Sequence, residues 1–227
     1  MSAIDPPLQE RVYHGLKADF LAGHFVPGKR IDIQDLANRH HSSKTPVREA
    51  AFIFVGEGLF VHHADGGFLV PILEPAELIE LLDWHMQLLI AVLTTLKESA
   101  VRRALQPFSI VGGEASAVGA ALRATEIFSS LAEATGNRHA THEVRRLNER
   151  LHYSRITETA ETTGAEKELA LFASMEVRSL RRATRRRVEA YHARKIAHLE
   201  KIIQLSQRRD KAIQSNGLEV SADPATR

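Results

Sequence analysis

The hydrophobic pattern of the chain changes sharply at Glu74-Pro75. Before this point, short apolar segments alternate with turns that contain glycine and proline. From Ala76 to about Ser206, apolar residues recur with the helical period of about 3.6 residues and strand-like alternation is almost absent. The sequence therefore predicts a mostly α protein, with a small mixed domain in residues 1–73 and an all-α helical bundle in residues 74–208. Within the bundle, helices are expected near 75–105, 115–134, 138–157, 164–186 and 188–208, with breaks at 112–113, 136–137 and 162–164. The polar residues 209–227 are expected to form a flexible tail.

Composition narrows the class of protein. The 227 residues are 44% hydrophobic, which is enough for packed cores, and they include no cysteine. The missing cysteines exclude disulfides, thiolate metal sites and cysteine nucleophiles. The N-terminus has no cationic stretch followed by an apolar run, and no segment reaches about 18 consecutive apolar residues. We therefore expect a cytoplasmic protein that has no contact with membranes.

The first domain begins with short helices. A first amphipathic helix is predicted from apolar residues at helical spacing: Val12, Leu16, Phe20 and Leu21. Asp32 is suited to cap a second helix, and a third starts near Thr45-Pro46 after the polar break at 40–43. Two short helices across a tight break are typical of a helix-turn-helix.

A small hairpin is predicted directly after these helices. The apolar segments 59–61 and 68–70 flank a turn at 64–67 that ends in Gly66-Gly67. Its position and glycine content are those of a wing, whose backbone can approach a phosphate or a minor groove.

The candidate DNA-contacting residues lie mainly at the start of the third helix, since a helix-turn-helix reads base edges with the N-terminus of its second helix. With the wing and one flanking cation, the candidates are Arg30, Ser43, Lys44, Thr45, Arg48, Gly66 and Gly67. Up to Ala76 the chain carries seven Lys and Arg against nine Asp and Glu. Attraction to phosphate must therefore depend on a few locally placed cations.

The order of these motifs resembles the GntR family of bacterial regulators over residues 8–73. The resemblance rests on Pro27-Gly28, TPVREA at 45–50 and the Gly66-Gly67 wing, which follow one another in the family's order. It implies that Lys44 and Arg48 contact guanine edges or phosphates and that Ser43 and Thr45 bind phosphates. It also implies that Gly67 lets the wing approach DNA.

Three departures from the family pattern bear on DNA reading. Lys44 replaces an arginine, so a point charge stands where a planar bidentate group is usual. His41-Ser42 replaces a glycine followed by an apolar residue at the turn. Phe52 and Ile53 lie on a helix face that is usually richer in arginine, and this apolar surface can bury against another element or subunit.

The second domain resembles the FCD subfamily, which has a fatty-acid-regulator-type C-terminal domain. The resemblance is carried by IFSSLAEATGN at 127–137, where that subfamily has an aspartate and a histidine at i and i+4 that bind a metal. Those two positions are Thr125 and Ser129 here. Of the two further histidine positions, one matches the neighbourhood of Glu176 and the other matches His198.

We therefore expect no bound metal and no other cofactor. An arginine of the subfamily's first long helix is replaced by His85, so the pocket should prefer an effector that is less anionic, or none. The effector-pocket candidates are His85, Thr125, Ser129, Glu176 and His198. Trp84 and Phe128 are expected to fill the core.

These patterns predict a homodimeric regulator that binds a palindromic operator and senses a small molecule. No convergent set of acid, base, nucleophile or metal ligands suggests an enzyme. The alternative is an interaction or scaffold protein that retains the fold, with weakened DNA binding, lost metal binding and an apolar dimer surface near Phe52 and Ile53.

Overall fold

The computed structural model describes residues 8–109, 116–161, 165–175 and 178–219. The first part contains α1 (Leu8–Leu21), α2 (Ile33–Arg39), α3 (Lys44–Gly56), β1 (Val61–His62) and β2 (Phe68–Leu69). The second contains α4 (Pro75–Thr95), α5 (Glu98–Leu105), α6 (Ala117–Glu133), α7 (Arg138–Arg150), α8 (His152–Glu161), α9 (Ala165–Ala173) and α10 (Leu180–Glu219). The fold is mostly α, as the sequence predicts.

The first three helices form the predicted helix-turn-helix, with α1 and α2 packed against α3. The carboxylate of Asp32 caps α2 as expected, accepting the backbone N–H groups of Gln34 at 2.8 Å and Asp35 at 3.1 Å. The buried side chains that hold this part together are Val12, Leu16, Phe20, Ile31, Leu36, Val47, Phe54, Leu59, Phe60, Phe68 and Val70.

The hairpin after α3 is the predicted wing. Strands β1 and β2 are antiparallel, and Arg30 forms an isolated antiparallel bridge to Leu69, which widens the wing by one residue. Gly67 has φ +88°, and a Cβ added there would lie 2.9 Å from Nε of Arg30. A side chain at Gly67 would therefore be strained and would displace Arg30.

The remaining helices form a bundle around α6, which packs against α4, α5, α7, α8 and α9, while α10 lies along α4. Alanines at 120, 121, 124 and 132 of α6 are buried. Their small side chains let the neighbouring helices approach closely. Phe128 is fully buried, as predicted, whereas Trp84 is 51% exposed, so its assignment to the core was wrong.

Several helix boundaries differ from the sequence prediction. A single helix was expected near 75–105, but Leu96 is extended, with φ −83° and ψ 140°, and separates α4 from α5. Thr94 and Thr95 donate their hydroxyls to carbonyls three residues earlier, and such bonds compete with regular helix continuation. The breaks predicted at 112–113 and 162–164 lie outside the described residues.

The last helix also differs. A break was expected between 186 and 188, but α10 runs without interruption, in keeping with the absence of glycine and proline from Leu180 to Asn216. It continues to Glu219, so the first half of the expected flexible tail at 209–227 is helical.

Among the described residues, α4 is the one helix whose length and composition would allow it to cross a membrane. In this fold α4 belongs to the bundle, where Leu82, His85 and Leu89 of its inner face are buried and the helix packs against α10. Of its most apolar stretch, 33% is buried inside the protein.

The two parts of the chain are joined through α8. The Tyr153 side chain is buried in the core of the first part, edge-on to Phe20 with the ring centroids 4.9 Å apart, and its hydroxyl accepts the Phe25 backbone N–H at 3.0 Å. Burial raises the pKa of Tyr153 to about 12, so the hydroxyl stays neutral. The neighbouring His152 donates from Nε2 to the carbonyl of Leu21 at 2.9 Å.

A charge bridge completes this junction. The ammonium group of Lys17 on α1 lies 2.6 Å from a carboxylate oxygen of Glu57, which follows α3, and 2.9 Å from one of Glu149 on α7. The helix-turn-helix and the bundle thus share both apolar and ionic contacts.

Replacing His41 by glycine is expected to stabilise the protein. His41 has φ +48°, which makes it the one non-glycine residue of the described chain in the left-handed region, at the turn between α2 and α3. That conformation costs a non-glycine residue about 1–2 kcal/mol, part of which is offset by the greater chain entropy of glycine. We expect His41→Gly to raise the free energy of unfolding in urea by about 0.5–1 kcal/mol. His41→Ala should give no gain, and a destabilised glycine variant would contradict the argument.

Candidate DNA interface and effector site

The predicted DNA-contacting side chains come together on one face. Arg30, Lys44, Arg48, Phe52 and Gly67 line a shallow groove between the start of α2, the outer face of α3 and the wing. Ser43 and Thr45 are exposed at the N-terminus of α3, and Gly66 is exposed in the wing turn. The structure thus brings four of the seven sequence candidates into one groove, and the other three are their direct neighbours in sequence.

The N-terminus of α3 is open toward solvent. Ser43 is the N-cap residue, with φ −85° and ψ 171°, but its side chain makes no capping hydrogen bond, in contrast to Asp32 at the start of α2. The first turn of α3 contains no acidic residue. Its unpaired amide groups and the positive end of the helix dipole form a suitable site for a phosphate.

The cations of this face are available for a ligand. Within the described residues, Arg30, Lys44 and Arg48 form no ion pair, whereas Arg39 on α2 pairs with Asp19 at 3.3 Å and with Asp35 at 2.9 Å. Part of the negative charge of the domain, on Asp19 and Asp35, is therefore neutralised by pairing within the domain. The three free cations give a locally positive surface that phosphate can approach.

The bundle interior contains a buried cluster of polar side chains. His85, Ser129, Asn148, Arg155 and His192 are each at most 8% exposed. Nδ1 of His85 lies 2.9 Å from Nε2 of His192, and Nδ1 of His192 lies 2.7 Å from the carbonyl of Val188. Since a carbonyl only accepts, His192 donates from Nδ1 and accepts on Nε2, so His85 donates from Nδ1.

Both imidazoles are neutral. Burial, followed by the charges of nearby cationic groups including Arg155, lowers the pKa of His192 to about 3 and that of His85 well below 6.5. In this arrangement Nε2 of His85 is a buried acceptor with no partner among the described residues. Such an atom identifies a place where a donor group would be favourable.

Arg155 fills the space between α6 and α7. It donates to the hydroxyl of Thr125 at 3.2 Å and to the side-chain oxygen of Asn148 at 2.9 Å, while Asn148 donates to the hydroxyl of Ser129 at 3.1 Å. Its guanidinium carbon lies 5.6 Å from the centre of the Phe128 ring. Burial lowers the pKa of Arg155 from its usual value near 12.5. An arginine in a protein nevertheless keeps its charge at neutral pH.

The sequence candidates for the effector pocket divide into three groups. His85, Thr125 and Ser129 all belong to the buried cluster. His198 is exposed on α10 and lines a different cavity, and Glu176 lies outside the described residues. Sequence reasoning missed Asn148 and Arg155, which stand on other helices and carry no local motif.

Metal binding has no obvious site in the described part of the chain. No group of three or more His, Asp or Glu side chains there is arranged to hold an ion. The two buried histidines bond to each other, and the remaining polar groups near them belong to Thr, Ser, Asn and Arg, which are poor ligands for zinc.

A cavity of about 240 Å³ lies at the junction of the two parts. One wall is formed by Pro27, Leu59 and residues 70–73, and the opposite wall by side chains of α4, α8 and α10, including Leu82 and Leu199. The lining is mainly apolar and also includes polar side chains: Arg150, Ser154, Arg155, Thr157, Glu158, Lys195 and His198. Small-molecule sites of proteins often have this composition and lie between domains.

Acidification is expected to destabilise the fold. Burial lowers the pKa of His192 to about 3 and that of His152 to about 4, and that of His85 is also lowered. Below pH 6.5 the unfolded chain binds protons that the folded chain does not. The free energy of unfolding therefore decreases as the pH is lowered, by up to about 1.4 kcal/mol per pH unit for each histidine. Urea titrations at pH 7.5, 6.5 and 5.5 should show this loss below 6.5. A variant His192→Gln should show a smaller slope, and equal slopes would contradict the assignment.

Comparison with known proteins agrees with this geometry. Residues 8–70 match the family described as bacterial regulatory proteins, gntR family. No curated protein matches the sequence closely enough to count as a relative.

Solved structures share the overall fold. GntR from Rhodococcus sp. RHA1 is 18% identical, with a TM-score of 0.63, and the match covers 85% of this chain and 97% of that one. E. coli McbR/YncC is 17% identical, with a TM-score of 0.61, and the match covers 89% of this chain and 100% of that one. The similarity therefore extends over both the helix-turn-helix and the helical bundle. Residues 8–70 of this chain are a winged helix-turn-helix DNA-binding domain of the GntR family, followed by a C-terminal helical domain.

Proposed function

We propose that the protein is a sequence-specific transcriptional regulator whose DNA binding is controlled by a small molecule in the C-terminal domain. One observation carries the DNA-binding part of this proposal. The open N-terminus of α3, the cations Lys44 and Arg48, and the wing with Arg30 form one face whose charges have no partner among the described residues. A duplex supplies the phosphates and base edges that such a face lacks.

The same face favours a regulator over a scaffold. In a scaffold protein that had lost DNA binding, nothing would keep three cations free of carboxylates beside an uncapped helix N-terminus. An enzyme is the least suitable reading, because the buried polar cluster contains no carboxylate, and its histidines are neutral and engaged with each other or with a backbone carbonyl.

The active form is proposed to be a homodimer on a palindromic operator. One recognition helix reads only a few base pairs, and two linked helices placed about one helical turn of DNA apart bind far more tightly. A regulator of this kind is expected to act in the cytoplasm.

The effector is proposed to bind in the C-terminal domain, in line with the resemblance to the FCD subfamily. Two places can receive it, the buried cluster around His85 and Ser129 and the cavity at the junction. Arg155 already fills much of the cluster, whereas the cavity has a volume close to that of small-ligand sites. Space therefore favours the cavity, which includes His198 from the sequence candidates.

Selection of bound sequences from a random duplex library tests the DNA-binding proposal. We expect a palindrome to be enriched by the wild-type protein. Arg48→Ala should weaken binding to that palindrome by roughly 10- to 100-fold, since a good base contact contributes about 1–3 kcal/mol. Arg11→Ala, which removes an exposed arginine of α1 outside the groove, is the matched control and should bind normally. Failure to enrich any sequence at low salt would refute the proposed function.

A fragment screen by thermal unfolding tests the effector site. Leu199 lines the cavity, so Leu199→Trp should fill it, whereas the same change at Leu171, which is 55% exposed on α9, should not. Fragments that stabilise the wild type should also stabilise Leu171→Trp but have no effect on Leu199→Trp. Fragments whose effect survives in Leu199→Trp and is lost in Ser129→Leu would place the site in the buried cluster instead.

A further inference from the structure

Phe52 is an apolar residue that lines the same groove as Arg30, Lys44 and Arg48. It lies on α3 one helical turn after Arg48, and its side chain is 55% exposed although it is among the largest apolar side chains of the domain. The buried residues of α3 (Val47, Ala50, Ala51 and Phe54) occupy the opposite face. Phe52 therefore projects from the same surface as the DNA-contacting candidates.

The ring of Phe52 is held in place by the wing. It stands edge-on to Phe68, with centroids 5.2 Å apart and planes at 89°, and its centroid lies 5.6 Å from that of His62. Phe68 is buried and pairs with His62 across the two strands. Contacts on one side thus fix the ring while the other side remains open. A fixed side chain loses little conformational entropy when it binds.

The surroundings of Phe52 indicate what covers its open side. The groove also contains Arg30, Lys44 and Arg48, none of which forms an ion pair within the described residues. Its one acidic lining residue, Asp32, accepts the backbone N–H groups at the start of α2, so the charge of the groove is positive overall. A second copy of the chain, placed symmetrically on this face, would bring like charges together. DNA instead offers phosphates on both sides of the major groove, and the main apolar group in that groove is the C5-methyl of thymine.

We propose that Phe52 is a specificity-determining residue that contacts a thymine C5-methyl group in each half of the operator. The inference rests on the proposed function, since it requires that this face binds DNA. Phe52 would recognise thymine by apolar contact, whereas an arginine on the same face would form hydrogen bonds. The preference should arise from burial of the methyl group against the ring.

Replacement of thymine by deoxyuridine tests this contact, because it removes only the methyl group. Each thymine of the selected operator is replaced in turn, and the dissociation constant is measured by fluorescence anisotropy with the full-length protein. For the wild type we expect one position in each half-site to weaken binding by roughly three- to tenfold, in line with the transfer free energy of one methyl group. Phe52→Ala should bind thymine and deoxyuridine operators equally.

Two controls separate the contact from a general effect on folding. Ile53→Ala, at the neighbouring exposed apolar position, should keep the preference for thymine, and Phe52→Leu should keep part of it. Circular dichroism and thermal unfolding should show that Phe52→Ala retains its fold.

The outcomes are distinct. Operator binding that is unaffected by deoxyuridine at every position, or a thymine preference that persists in Phe52→Ala, would overturn the inference while leaving the proposed function intact. A dimer that becomes monomeric in Phe52→Ala would assign the face to a second copy and would also overturn it. If no operator is selected at all, the proposed function itself fails.

Discussion

Insertion of Tyr153 into the core of the helix-turn-helix determines how the two parts of the protein are arranged. The tyrosine is a residue of α8, but its side chain packs in the core of the first domain. Its ring lies against Phe20 and its hydroxyl accepts the backbone N–H of Phe25. A buried hydroxyl that lost this partner would be costly, so the contact favours one position of α8 relative to α1. The Lys17 bridge to Glu57 and Glu149 favours the same position. The orientation of the recognition helix therefore depends on the bundle.

Most of the first domain was predictable because its signals are local. The Asp32 cap, the four-residue spacing of apolar side chains in α1 and the glycine turn of the wing each act over a few residues, and each gave the observed element. The candidates from Ser43 to Arg48 were chosen for their position at the start of α3, and their contact with DNA stays a prediction. The pairing of Arg30 with Leu69 joins distant segments and has no such local signal.

The bundle was predictable as a set of helices but not in its interior. Long apolar patterns indicated helices, yet the pattern continues through Leu96 and cannot show that the chain turns there. Thr125 and Ser129 were singled out by resemblance, but the partner of Thr125 is Arg155 on α8, 30 residues away, and the partner of Ser129 is Asn148 on α7. His85 meets His192 across a still larger separation. Contacts between residues so far apart in the sequence become visible only when the packing of the helices is known.

The position of the cavity suggests how a ligand could act on DNA binding. Its walls come from both parts of the chain, and both Phe20 and Tyr153 of the junction belong to them. A molecule that fits only the observed packing would stabilise this orientation of the recognition helix. A molecule that needs more space would instead favour a state in which Tyr153 has moved away from Phe20 and Phe25. Either effect is reciprocal, so operator DNA must change the affinity for the ligand by the same factor. The coupling thus requires only a change at the junction, where the cavity and the Tyr153 contact lie side by side.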